Sequence, residues 1–172
     1  RSKPDTETLA ETNYVAFNFY DEEKDYVSCH LIYRGQSEST MTDRIARIGN
    51  TYFKTLNDAF NKAKTGDVIT LVKATTETDA VNNNRNAISL DLNGYILSGT
   101  ITNNGNLTII NNGKVNGSPV SGQINGGDNP AIINNNRLFI GVNDTDISQD
   151  NILILSDNVA VQNNGAITMY DG

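Results

Sequence analysis

The sequence is short of the residues on which compact catalytic and metal sites usually rest. Its 172 residues include one cysteine, Cys29, one histidine, His30, and no tryptophan. A single thiol excludes an intramolecular disulfide and every multi-cysteine metal site. Cys29 and His30 are neighbours, so on a strand they point to opposite faces, a poor geometry for activating a thiolate. Cys29 is therefore expected to serve as a small hydrophobe, which argues against a Cys/His enzyme. Basic residues are also scarce. Against 20 Asp and Glu stand 13 Lys and Arg, for a formal charge of −7 and an isoelectric point near 4.6. Such a chain cannot assemble a sizeable phosphate-binding surface, which argues against nucleic acid as a partner. No apolar run approaches the ~18 residues that a membrane span needs, so no insertion into a bilayer is expected. At 18.7 kDa the chain has the length of one domain with a small appendage.

What is abundant is asparagine, with 26 residues against 14 glycines and 3 prolines. Residues 1–13 are polar, contain Pro4 and read as a tail or linker. The chain opens at Arg1 without a signal-peptide pattern, which suggests an excised or mature segment. Residues 14–44 form a separate small segment. Within it Tyr14–Tyr20 and Tyr26–Tyr33 are aromatic and β-branched runs joined by charged residues, the pattern of a β-hairpin, followed by a polar loop. A second hairpin is expected around Gly49-Asn50, between Ile45–Ile48 and Thr51–Phe53.

One helix is expected over residues 55–64. Thr55 is its N-cap, Asp58 lies in the first turn and lysines lie in the last, the charge order that the helix dipole favours. Leu56, Ala59, Phe60 and Ala63 form one apolar stripe, and Gly66 is read as the stop. Beyond Asp67 the helical period disappears. Short strands are expected at Val68–Val72, Ile88–Leu92, Leu107–Ile110, Leu138–Ile140, Ile152–Leu155 and Ile167–Met169.

Between these strands runs a repeat with the template apolar-x-Asn-Asn-Gly/Asn-x-apolar-x-apolar. Its copies begin at Ile101, Ile132 and Val161, spaced by 31 and 29 residues. A looser step of about 20 residues links Ile69, Ser89 and Thr108. Strands that return at this interval without crossover helices predict an all-β stack of coils, a parallel β-helix. Coils would lie about 4.8 Å apart, so equivalent side chains form columns. Asparagine suits the corners of such a stack because it tolerates left-handed backbone and bonds to asparagines above and below. Glycine in the third position is read as supplying positive φ, with Asn136 its substitute. Helix 55–64 would cap the first coil. No cap-like segment follows the last copy, so either further chain or local packing is expected to cover that edge.

The runs Ile48–Phe60, Gly66–Leu71 and Leu90–Tyr95 together resemble the opening of right-handed β-helix, pectate-lyase-like modules in large surface proteins of gut Firmicutes and related bacteria. The likeness covers residues 45–172. It implies a right-handed parallel β-helix in an adhesin-type scaffold that is secreted or attached to the bacterial cell surface; the short capping helix and the N-terminal β-hairpin are read from the residues themselves, and residues 1–44 lie outside the likeness. A polysaccharide or a host surface molecule is the implied ligand.

Catalysis by a β-helix on pectin needs calcium-binding acids beside a basic residue, or clustered aspartates with a histidine. Past the helix the basic residues are Lys73, Arg85, Lys114 and Arg137, and His30 precedes it. No cofactor is expected. The densest acids, Asp144, Asp146 and Asp150, offer oxygen ligands to calcium but lack the EF-hand order, and a solvated turn is favoured over a metal site. A polysaccharide lyase or hydrolase built on that loop is the alternative to a non-catalytic scaffold. Asp91 alternates with apolar neighbours and is expected to be exposed. Tyr95, Phe139 and Tyr170 are candidate sugar-stacking residues if they point outward, although core filling is favoured on burial preference. The sequons at Asn106 and Asn143 are expected by chance. Ice or mineral binding would require ordered threonine ladders, and the threonines are scattered.

Overall fold

The computed structural model describes residues 14–21, 26–33, 43–142 and 151–170. It divides the chain into two units, Arg1–Asp43 and Arg44–Gly172. In the first unit, β1 (Tyr14–Asp21) and β2 (Tyr26–Tyr33) pair antiparallel, with Tyr14 opposite Tyr33 and Asp21 opposite Tyr26. This is the expected hairpin, and Cys29 and His30 fall on β2. The tail, the charged turn and the loop expected at 35–42 lie outside the described residues.

The second unit opens with the antiparallel pair β3 (Ala46–Ile48) and β4 (Thr51–Phe53), turned at Gly49, whose φ of 55° favours glycine. Helix α1 (Leu56–Lys62) follows, and the Thr55 hydroxyl accepts the Asp58 N–H at 3.1 Å. Leu56, Ala59, Phe60 and Ala63 are buried, as their spacing predicts. The helix ends before Gly66. Ala63 is already extended, and Asn84 Nδ2 donates to the Phe60 and Ala63 carbonyls at 2.9 and 2.7 Å. Gly66, at φ 86°, turns the chain toward the next strand instead of capping the helix.

From here the unit is built of parallel sheets. One sheet receives β5 (Val68–Leu71), β7 (Ala87–Asp91), β9 (Asn106–Ile110), β14 (Arg137–Ile140) and β17 (Ala166–Met169), all parallel, with β3 and β4 added at its first edge. The other sheet is organised around the long strand β8 (Ile96–Asn103). Strand β6 (Thr75–Asn82) pairs along β8 on one side. On the other side, residues 96–98 pair with β12 (Gly122–Asn125) and residues 101–103 with β13 (Ile132–Asn134). Then β15 (Ile152–Leu155) joins β12 and β16 (Val161–Asn163) joins β13. The chain therefore visits the two sheets alternately. A small antiparallel pair, β10 (Lys114–Val115) and β11 (Ser118–Pro119), interrupts one passage. The strands of the first sheet match the sequence expectation.

Register alignment creates columns of apolar side chains. Ile69, Leu90, Ile109, Ile140 and Met169 form one, and Ile88, Leu107, Leu138 and Ile167 form a second. Ala80, Ile101, Ile132 and Val161 form a third. All but the last member of each column are buried. At about 1.5–3 kcal/mol for each fully buried large aliphatic side chain, these columns are the main source of cohesion in the unit.

Two asparagine ladders run beside them. Asn82 Nδ2 donates to Asn103 Oδ1 at 2.9 Å, Asn103 to Asn134 at 2.8 Å and Asn134 to Asn163 at 2.7 Å. The neighbouring ladder runs the opposite way, from Asn164 to Asn135 to Asn104 to Asn83, each at 2.8 Å. The repeat thus places asparagine where strands stack, but the expected left-handed corner is corrected. Asn93 and Asn116 are the non-glycine residues at positive φ among the described residues, and neither belongs to a ladder. Gly105 and Gly165 are also not at positive φ. They are glycine because a Cβ at either would approach the preceding layer's carbonyl, that of Asn84 at 1.8 Å or that of Asn136 at 2.1 Å. Asp91 is corrected as well. It is 5% exposed, and its carboxylate accepts the N–H groups of Asn93 and Asn112, each at 2.9 Å, plus Asn112 Nδ2 at 3.1 Å.

Candidate functional site

Alternation on β14 sends Leu138 and Ile140 into the core and Phe139 to the outer face, where it stands in register between Thr108 and Thr168. Tyr170 follows β17, and its N–H donates to the Ile140 carbonyl at 2.9 Å, which fixes its backbone beside β14. The two rings lie parallel, 5° apart in plane, with centroids at 6.3 Å. Tyr170 is 42% exposed. Paired aromatic faces on a rigid sheet offer apolar area with little ordering cost, and the phenol adds a hydrogen-bonding tip. Tyr95 does not join this pair. It packs against the buried core, and its N–H donates to the Leu92 carbonyl at 2.8 Å. The calcium candidates Asp144, Asp146 and Asp150 lie outside the described residues.

A second feature, which the sequence did not disclose, is a polar groove of about 350 Å³ lined by Asp79, Thr100, Thr102, Asn129, Pro130 and others. It lies where the register of β6 against β8 shifts between Glu77 and Ala80. Gly99 permits that shift. Its φ is 131°, and a Cβ there would meet the Glu77 carbonyl at 1.8 Å. Thr100 Oγ1 donates to the Pro130 carbonyl at 2.7 Å and ties the groove's rim together. The available signal was the alternating pair Thr100 and Thr102 around buried Ile101.

Glu77, beside this region, has its carboxyl raised above the ordinary range. Burial is the main cause, the Leu56 N–H that bonds it acts against the rise, and the negative charge of Asp58 adds to it. A third feature is an apolar concavity of about 410 Å³ at the far end of the columns, lined by Ile154, Val161, Ile167 and Met169 among others. Among the described residues, no group of three His, Cys, Asp or Glu side chains is placed to hold a metal ion. No helix of the described residues is long and apolar enough to cross a membrane. The described residues thus present an aromatic pair, a hydroxyl-lined groove and an apolar concavity. No family model matches the chain, and no match was found among curated proteins or solved structures.

Proposed function

We propose that residues 45–172 form a right-handed parallel β-helix that acts as a non-catalytic display scaffold in a secreted or surface-anchored bacterial protein, and that its Phe139–Tyr170 face binds polysaccharide. Support for the β-helix comes from the parallel pairing that joins the strands of the two large sheets from β5 onward and from the side-chain columns that this pairing aligns. Support for the ligand comes from a single observation, the parallel rings of half-buried Phe139 and exposed Tyr170. A pyranose presents an apolar C–H face and a hydroxyl rim. The rings match the first, and the Tyr170 hydroxyl with the neighbouring Thr168 matches the second.

The test is a polysaccharide array probed with the intact chain, Phe139→Ala and Tyr170→Ala, with each variant's melting recorded. Loss of one stacking face, at about 1 kcal/mol, weakens binding about five- to tenfold while Tyr170→Ala leaves melting nearly unchanged. Binding that survives both substitutions refutes the platform. Calcium-dependent release of unsaturated uronates would instead establish an enzyme.

A further inference from the structure

We infer that Asn116-Gly117 is a site of spontaneous deamidation, where the chain converts one asparagine to aspartate and isoaspartate while the fold holds its other Asn-Gly pairs inert. The inference is independent of the polysaccharide proposal. Deamidation begins when the main-chain nitrogen after an asparagine attacks that residue's side-chain Cγ. A C–N bond forms, the bond from Cγ to the amide nitrogen breaks, and the attacking nitrogen's proton leaves with the departing group as ammonia. The five-membered imide that remains takes up water at either carbonyl and opens to aspartate or isoaspartate. A following glycine favours the attack because it has no Cβ to hinder it.

The chain has six Asn-Gly pairs, at Asn93, Asn104, Asn112, Asn116, Asn125 and Asn164. All but the one at Asn116 are locked three ways. First, their glycine N–H groups are engaged. Those of Gly105, Gly113 and Gly165 donate to the carboxamide oxygen two residues earlier, that of Gly94 to Asn111 Oδ1 and that of Gly126 to the Leu155 carbonyl. Second, their asparagine carboxamides are engaged. Asn104 and Asn164 stand in the outer ladder, Asn112 bonds to Asp91, Asn93 to the Leu71 carbonyl and Asn125 to the Gly127 N–H. Third, each of these glycines is packed so closely that a Cβ on it would lie within 2.4 Å of another atom. The backbone there cannot swing its nitrogen onto Cγ.

Asn116-Gly117 differs on all three counts. The two residues make the turn between β10 and β11, at φ 51° and 82°, and both are exposed. Among the described residues, neither the Asn116 carboxamide nor the Gly117 N–H has a hydrogen-bond partner. A Cβ on Gly117 would meet nothing within 4 Å. The turn also opens at little cost, because β10 and β11 pair over two residues each, join neither large sheet, and leave Val115 58% exposed. The Val120 N–H, donating to the Gly113 carbonyl at 2.9 Å, closes the base of this finger. Conversion puts a carboxylate two residues from Lys114, and isoaspartate adds a methylene to the main chain of a turn whose two residues set the strand register.

The test ages the intact folded chain in mildly alkaline buffer beside a sample kept unfolded in denaturant. Both are then digested, and each Asn-Gly peptide is followed by its mass and by labelling with an isoaspartate-specific methyltransferase. In denaturant all the pairs convert together. In the folded chain Asn116 should convert at least about tenfold faster than any other pair, the protection that two modest hydrogen bonds give. Asn116→Gly keeps a residue suited to the positive φ and should lose the early release of ammonia. Three results overturn the proposal: Asn116 intact in the folded chain while it converts in denaturant, another pair converting as fast as Asn116 in the folded chain, or Asn116→Gly releasing ammonia as early as the parent.

Discussion

The two ends of the Arg44–Gly172 unit are made of the same repeating strands and differ in what meets their outermost edges. At the first end, α1 lays Leu56, Ala59 and Phe60 over the columns, and the carboxamide of Asn57 bonds to β6 as another strand would. At the other end no described residue of this unit lies over β16 and β17, and the apolar columns finish there in half-exposed or exposed side chains. The contrast shows that a capping helix must do more than bury apolar surface. It must also bond the main-chain groups of the edge, because an unmet buried donor or acceptor costs about 1–3 kcal/mol. A helix has no lateral main-chain groups to offer, so a side-chain amide with one donor and one acceptor does this in their place.

Substitution of matched positions at the two ends is the strongest way to break the comparison. Phe60→Ala empties a fully buried site beneath the cap and should cost about 3–5 kcal/mol, whereas Met169→Ala should cost under about 1 kcal/mol. Denaturant unfolding of both variants checks this, and equal losses would mean that the far end is as well packed as the cap. Within the inner ladder, Asn103→Ala removes a donor and an acceptor from a fully buried position and should cost about 2–3 kcal/mol. Asn163→Ala, exposed at the end of the same ladder, should cost no more than about 1 kcal/mol. Between these two falls Asn57→Ala, which reopens the β6 edge at about 1–2 kcal/mol. Its signature is faster hydrogen exchange at the Val81 amide, with the amides of β14 unaffected.

Much of this contrast was legible in the sequence, and the parts that were not have physical causes. Helix α1 could be read because its stripe and Thr55 cap are local features. The strands of the seven-stranded sheet could be read because their inward residues are aliphatic. Strand β6 was missed, since among its described side chains Thr75–Asn82 buries only Ala80 and Asn82, and its sequence shows no apolar alternation. The asparagine columns were foreseen, but two details depend on neighbours about 20–30 residues away: the opposed direction of the two ladders and the close approach that requires glycine at 105 and 165. Asp91 broke the alternation rule because its strand ends there. The chain turns through Asn93 and Gly94, at φ 50° and 75°, and the carboxylate accepts the Asn93 N–H of this turn together with the main-chain and side-chain N–H groups of Asn112. Phe139 and Tyr170 were individually visible as aromatics, but their parallel stacking needed the register of β14 against β17.

The mildest prediction concerns the charge at the capped end. Glu77 sits on β6 with its carboxyl pushed above the ordinary range, chiefly by burial, opposed by the Leu56 N–H and assisted by the charge of Asp58. The folded chain therefore holds this proton more tightly than the unfolded chain does. The resulting stability is fully present below the unfolded value and is lost as pH rises through the higher folded value. Because the site keeps contact with solvent, the effect is small. Glu77→Gln retains an acceptor for the Leu56 N–H and removes the ionisation. It should melt close to the parent chain at about pH 4 and above it at about pH 7, where the parent carries the ionised carboxylate. A variant that melts below the parent at neutral pH would show that the ionised carboxylate strengthens the cap through the helix N-terminus, and burial would no longer account for the cost of charge at this end of the unit.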